Sequence, residues 1–180
     1  MKKIILLGDT ITQKLPENLI ATPIDEVKNF SSKNICCETF YLNYWPKIKK
    51  NETDIYILLM GINDIMLSYS NPSYTLDNIV ENLKKIITDI LSVDSILLVQ
   101  SIYPTNNFEL NKKISYVNEK VSEYCYELDI EFLDFYELLT DKNGLLNENY
   151  SNDGIHPNIE GFNLIANQIN DYIDTYTRKK

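Results

Sequence analysis

Long apolar runs are missing from the chain, and none approaches the roughly 18 consecutive apolar residues that a membrane-spanning helix needs. The opening MKKIILLGDT places two lysines before four apolar residues, but that run stops at Gly8. It falls short of the roughly 7 to 15 residues of a signal-peptide core and reads as a buried first strand. Basic residues are scarce too: Lys and Arg number 17 against 26 Asp and Glu, a formal net charge of −9. With no clustered basic face, the summed field repels phosphate backbones and anionic head groups, so neither nucleic acid nor membrane is expected as a partner. The three cysteines, Cys36, Cys37 and Cys125, lack metal-ligand spacing, so no metal site is expected. Cys36 and Cys37 are read as opposite-facing residues of one strand, and all three as buried reduced thiols, which suits a cytoplasmic protein. There is one histidine, His156.

What is present is an alternation of elements. Short apolar runs bounded by turn formers recur at KIILLG (3 to 8), NICCETFYL (34 to 42), DIYILLMG (54 to 61), SILLVQSIYP (95 to 104) and IEFLDFYELL (130 to 139). The third and fourth are continuous rather than alternating, as in strands covered on both faces. Between them, TLDNIVENLKKIITDIL and LNKKISYVNEKVSEYCYEL repeat apolar residues at helical spacing, and a last helix begins near Asn158 after Pro157. Strands alternating with helices predict a three-layer α/β/α sandwich over residues 1–180, with a central five-stranded parallel sheet and functional groups at the carboxyl ends of the strands.

Three of those ends carry polar clusters: Gly8-Asp9-Thr10, Gly61-Ile62-Asn63-Asp64, and Asp153-Gly154-Ile155-His156-Pro157. A parallel sheet brings them to one rim. A single turn can set the Asp153 carboxylate against one imidazole nitrogen of His156, leaving the other free to take a proton from a hydroxyl. Thr10 can supply that hydroxyl. Asn63 offers an amide donor, and Gly8 and Gly61 permit close backbone approach, so an oxyanion could be held there. These are the parts of an acyl-transfer site.

The same blocks, in this order, resemble the first, third and fifth blocks of the SGNH hydrolases, the superfamily of GDSL-type esterases and lipases. The fifth, running on into HPNIEGFNLIA, is the most specific. The resemblance implies a flavodoxin-like fold, with His156 as general base, Asp153 as its orienting acid, and Asn63 and the Thr10 amide as oxyanion donors. Thr10 takes the place of the family's serine nucleophile, and Asp9 and Gly61 support the site. It further implies a small-molecule ester as substrate and no metal or organic cofactor. In two places the chain departs from the family pattern. The nucleophile position is threonine, whose extra methyl stiffens the side chain. The family's second block supplies a glycine amide, yet no glycine lies between Gly8 and Gly61; by strand position its counterpart is expected near Leu42. The short stretch from there to Gly61 leaves room for about two turns of helix around Trp45 to Lys50, a trimmed crossover that would open one side of the site.

Plainer readings stand beside these. Thr10 could cap a helix, Asn63 and Asp64 could cap or turn, with the capping role preferred for Asp64, and Thr12, Ser101 and Ser151 read as local structure. Tyr41, Tyr44 and Trp45 could pack rather than line a pocket, Trp45 being the better ligand candidate. At the level of function, the rival to an ester hydrolase is a protein of the same fold that binds an acyl or carbohydrate ligand without turnover. A nucleotide-binding domain is disfavoured because neither GxGxxG nor the P-loop pattern occurs.

Overall fold

The computed structural model of the chain describes residues 3–20 and 26–177. Five strands, β1 (Lys3–Gly8), β2 (Glu26–Asn29), β3 (Ile55–Leu59), β4 (Ile96–Gln100) and β5 (Glu131–Leu133), form one sheet in the order β2-β1-β3-β4-β5. Every pairing is parallel. The inner strands are the continuous apolar runs, and all five residues of β3 are buried. Around the sheet lie α1 (Thr10–Lys14), α2 (Cys37–Asn43), α3 (Trp45–Ile48), α4 (Ile62–Ser70), α5 (Leu76–Leu91), α6 (Phe108–Glu127), α7 (Tyr136–Leu139) and α8 (Ile159–Thr177).

This order dictates where a site can form. From β1 the chain crosses one way to β2, then turns back past β1 to β3, β4 and β5. Right-handed crossovers therefore put α1 on one face of the sheet and the helices from α2 to α6 on the other. The α8 helix packs against the short turn Glu17–Leu19 that follows α1, which completes the α/β/α sandwich. The strand order reverses between β1 and β3, and the crevice at their carboxyl ends is where open parallel sheets bind ligands.

Several expectations need correction. The segment 34 to 42 is not a strand. Its buried residues Cys37 and Phe40, followed by Trp45 and Ile48, recur at helical spacing, and α2 is started from outside when the Asp64 carboxylate accepts the Cys37 amide at 3.0 and 3.1 Å. The second strand is instead Glu26–Asn29, a sheet edge whose EVKN sequence has one apolar side chain and thus no period to read. Cys36 and Cys37 accordingly sit at the start of a helix; Cys37 and Cys125 are buried and Cys36 half-buried, all three free. The crossover to β3 holds two short helices, α2 and α3. Trp45 is 1% exposed and edge-on to Tyr56, so it belongs to the core. The last strand is three residues long, because Asp134 accepts the Tyr136 amide and turns the chain into α7. Among the described residues no helix is long and apolar enough to cross a membrane.

Candidate active site

At the end of β1 the backbone turns so tightly that a Cβ on Gly8 would lie 2.0 Å from Thr12 Oγ1 and 2.6 Å from the Leu59 carbonyl. Only glycine fits. Asp9 then caps α1, its Oδ1 accepting the Ile11 amide at 2.9 Å. That leaves the hydroxyl of Thr10, the first helical residue, unneeded as a cap. The Asp9 side chain is buried, with Oδ2 unpartnered among the described residues. Burial pushes its carboxyl up to about 7, the Ile11 amide pulling the other way and the charge of Asp64 adding to the rise.

Thr10 Oγ1 accepts the backbone amide of Asn34 at 3.0 Å. The loop after β2 is tied to the end of β1 by Phe30 N to Leu6 O and Ser32 N to Gly8 O, and the end of β2 to α1 by Asn29 Nδ2 to Thr12 O. Asn34 holds a φ of 57°, a left-handed conformation that asparagine tolerates better than other residues with a Cβ. It is Asn34, in the loop after β2, and not Leu42 that lines the cleft with Thr10. Leu42 is 62% exposed on α2 and lies outside the cleft described below. An asparagine in a loop after a strand is itself a signal for positive φ.

From β3 the chain passes through Gly61, at φ 126°, into α4. A Cβ there would meet Ile102 Cδ1 at 2.6 Å. Asn63 donates from Nδ2 to the Ile35 carbonyl at 3.0 Å; its carboxamide has a second hydrogen to offer. Asp64 points the other way, capping α2 and accepting the Tyr74 hydroxyl at 2.6 Å. It is structural, and burial raises its carboxyl against the pull of the Tyr74 and Cys37 donors.

The third cluster folds as one turn before α8. Asp153 Oδ1 accepts the amides of Ile155 and His156 at 3.0 and 2.8 Å, and Oδ2 meets His156 Nδ1 at 2.7 Å. Ser151 staples the turn, accepting from Gly154 N at 3.0 Å and donating to the His156 carbonyl at 2.8 Å. Gly154, at φ 76°, packs its Cα against Asn106, where a Cβ would lie 2.1 Å from Nδ2. Partial burial pushes the Asp153 carboxyl up, but the His156 amide, its ring and the Ile155 amide outweigh that and hold it well below the usual carboxylate range. A carboxylate can only accept, so Nδ1 carries the hydrogen, and the neutral tautomer this selects has its lone pair on Nε2.

Thr10, Asn34, Asn63 and His156 line one cleft of about 340 Å³. Asp153 stands behind His156, while Asp9 and Gly61 shape the turns. The Thr10 hydroxyl and the His156 ring share the cleft without a hydrogen bond between them; the hydroxyl's partner is Asn34. Catalytic hydrogen bonds are often long in unliganded sites and tighten around substrate. Ser101 is buried and accepts the Phe135 amide at 2.9 Å, so it is structural. Among the described residues no group of three or more His, Cys, Asp or Glu is placed to hold a metal ion.

Comparison with known proteins agrees with this fold. A GDSL-like lipase from Bacteroides thetaiotaomicron superposes with a TM-score of 0.85 at 19% identity, over 97% of this chain and 89% of that one. A lipase/acylhydrolase from Enterococcus faecalis does so with a TM-score of 0.80 at 19% identity, over 98% and 97%. Among curated proteins, an N-acylneuraminate cytidylyltransferase from Streptococcus agalactiae is 26% identical over 176 residues, 94% of this chain. The chain spans only 38% of that relative's length. Residues 7–164 match the sequence model of one family across most of the chain, and the protein belongs to the GDSL-like lipase/acylhydrolase family.

Proposed function

We propose that the protein hydrolyses a small carboxylic ester, with Thr10 as nucleophile, His156 as general base and Asp153 as the group that orients the imidazole. The observation that carries this reading is the Asp153–His156 contact of 2.7 Å beside a cleft that also contains the Thr10 hydroxyl. His156 Nε2 takes the hydroxyl proton as Thr10 Oγ1 attacks the carbonyl carbon, and the imidazolium is stabilised by Asp153. The carbonyl oxygen becomes an oxyanion bonded to the carbon that Oγ1 has joined. The Asn34 amide, already aimed at Oγ1, is within reach of it, as are the Thr10 amide and the free Asn63 hydrogen. His156 then protonates the leaving alcohol, and water activated by the same imidazole releases the acid. An acylated sugar suits the proposed substrate class. The three free thiols suit a reducing setting, and the cytoplasm is the proposed one.

A second reading is a protein that binds such a ligand without turnover. It draws on the Asn34 amide occupying the Thr10 hydroxyl and on the methyl that crowds a threonine nucleophile. Hydrolysis of 4-nitrophenyl acetate separates the two. Turnover that drops about 10²-fold or more in both Thr10→Ala and His156→Ala supports the hydrolase. Full rates in either variant defeat it.

A further inference from the structure

Two cationic side chains of the cleft have no part in the proposed reaction. Lys14 and Lys33 line the same space as Thr10, Asn34 and His156. Lys14 ends α1, four residues from Thr10, and residues four apart share a helix face. Lys33 directly precedes Asn34, whose amide reaches the Thr10 hydroxyl. Both cations thus hang from the short segments that hold the reactive oxygen, and both are exposed.

The charge of this wall runs against that of the chain. Asp and Glu outnumber Lys and Arg by 26 to 17, yet no Asp or Glu lines the cleft beside these two lysines. The one acid of the proposed triad, Asp153, directs Oδ2 at His156 Nδ1 and lies outside the lining. The rest of the wall is largely apolar, from Ile11, Ile62, Met66 and Ile155. A concave surface with one sign of charge and low-dielectric walls concentrates ligands of the opposite sign.

We propose that the cleft selects esters carrying an anionic group such as a carboxylate, with Lys14 and Lys33 as the cations that recognise it. This deepens the ester-hydrolase reading and rests on it for the reaction. At exposed positions each lysine is expected to contribute about threefold, and the pair about tenfold. The effect shrinks as added salt shortens the screening length from about 30 Å at 0.01 M to about 3 Å at 1 M.

Two ester pairs ask on which side of the ester the anion sits. In 4-acetoxybenzoate and methyl 4-acetoxybenzoate the charge difference is on the alcohol part, and in 4-nitrophenyl hemisuccinate and 4-nitrophenyl butyrate on the acid part. Ratios of kcat/KM for charged over neutral ester are compared between the native protein and the Lys14→Gln/Lys33→Gln double variant, which cancels intrinsic reactivity. A fall of about tenfold in either pair, smaller at high salt, supports the proposal. Ratios unmoved in both pairs overturn it.

A second measurement is free of turnover. The amides 4-acetamidobenzoate and the neutral 4-acetamidobenzamide are titrated while the ring signals of His156, the chain's single histidine, are followed by NMR. Tighter binding of the anionic amide, lost in the double variant, supports the proposal even where no ester is hydrolysed, a result that would sink only the hydrolase reading. Equal binding of the two amides, or no binding of either, overturns it.

Discussion

Asn34 donates its backbone amide to the Thr10 hydroxyl oxygen across 3.0 Å while its own backbone sits at a φ of 57°. The pairing joins the loop after β2 to the first residue of α1, and it depends on a backbone conformation more than on a side chain. Asn34→Val should force the loop out of the left-handed region at a strain of about 1–2 kcal/mol and lower kcat/KM by roughly tenfold or more. Asn34→Gly, which adopts the same φ freely, should exceed Asn34→Val by at least that factor. Equal ester hydrolysis by the two variants would remove the Asn34 conformation from the mechanism.

The Asp153–His156 pair makes a prediction about pH. The Asp153 carboxyl is depressed in the folded protein, so the stabilisation it gives is fully present above the ordinary carboxylate value of about 4 and is lost as pH falls through the lower folded value. Asp153→Asn should therefore flatten the acid side of the stability curve below about pH 4. It should also cut turnover by about 10²-fold or more by releasing the imidazole tautomer. Acid titration followed by circular dichroism checks the first; ester hydrolysis rates check the second, with the nitrogen shifts of the single histidine reporting the tautomer.

Asp9 runs the other way. Its carboxyl is pushed up to about 7 by burial, so the folded state holds a proton that the unfolded chain has given up above about pH 4. Stability should fall as pH rises from about 4 to 7 and level off above that. Asparagine caps a helix as well as aspartate and cannot ionise, so Asp9→Asn should remove the slope and unfold at a higher temperature than the native protein at pH 8. A native protein whose melting temperature does not change across this window would contradict the burial argument.

How much of this was legible follows from where the signal sits. The three inner strands could be read because a strand covered on both faces is apolar at every position, as Ile55 to Leu59 are. The Asp153–His156 contact could be read because three residues of spacing fit one turn. The edge strand could not, since Val27 is the only apolar residue in EVKN, and the nearest apolar run, around Cys37 and Phe40, carries the stronger strand signal. Cys37 and Phe40 do lie at helical spacing, but the start of the helix is set by Asp64, 27 residues away, which accepts the Cys37 amide, a tertiary cause outside the local pattern. A strand placed there puts the expected second-block position at Leu42, away from the cleft that Asn34 lines.

Gly8→Ala tests the turn that presents Thr10. The added methyl would lie 2.6 Å from the Leu59 carbonyl, which is sheet backbone and cannot step aside. Overpacking of this kind costs about 1–3 kcal/mol, so the variant should unfold at a clearly lower denaturant concentration. Unchanged stability would mean that the strand end is looser than the packing indicates.

Thr10→Ser addresses the choice between turnover and binding. Serine keeps the oxygen that accepts the Asn34 amide and removes the methyl that fixes the side-chain torsion, so the hydroxyl is freer to rotate toward His156. If the base, the orienting acid and the oxyanion donors are all competent, the substitution should raise kcat on a short ester by about tenfold or more, with little change in KM. A variant no faster than the parent, in a protein that turns over no ester, would locate the deficit elsewhere in the machinery and favour a protein that only binds its ligand. A variant slower than an active parent would show instead that the threonine methyl holds the attacking oxygen in its productive orientation.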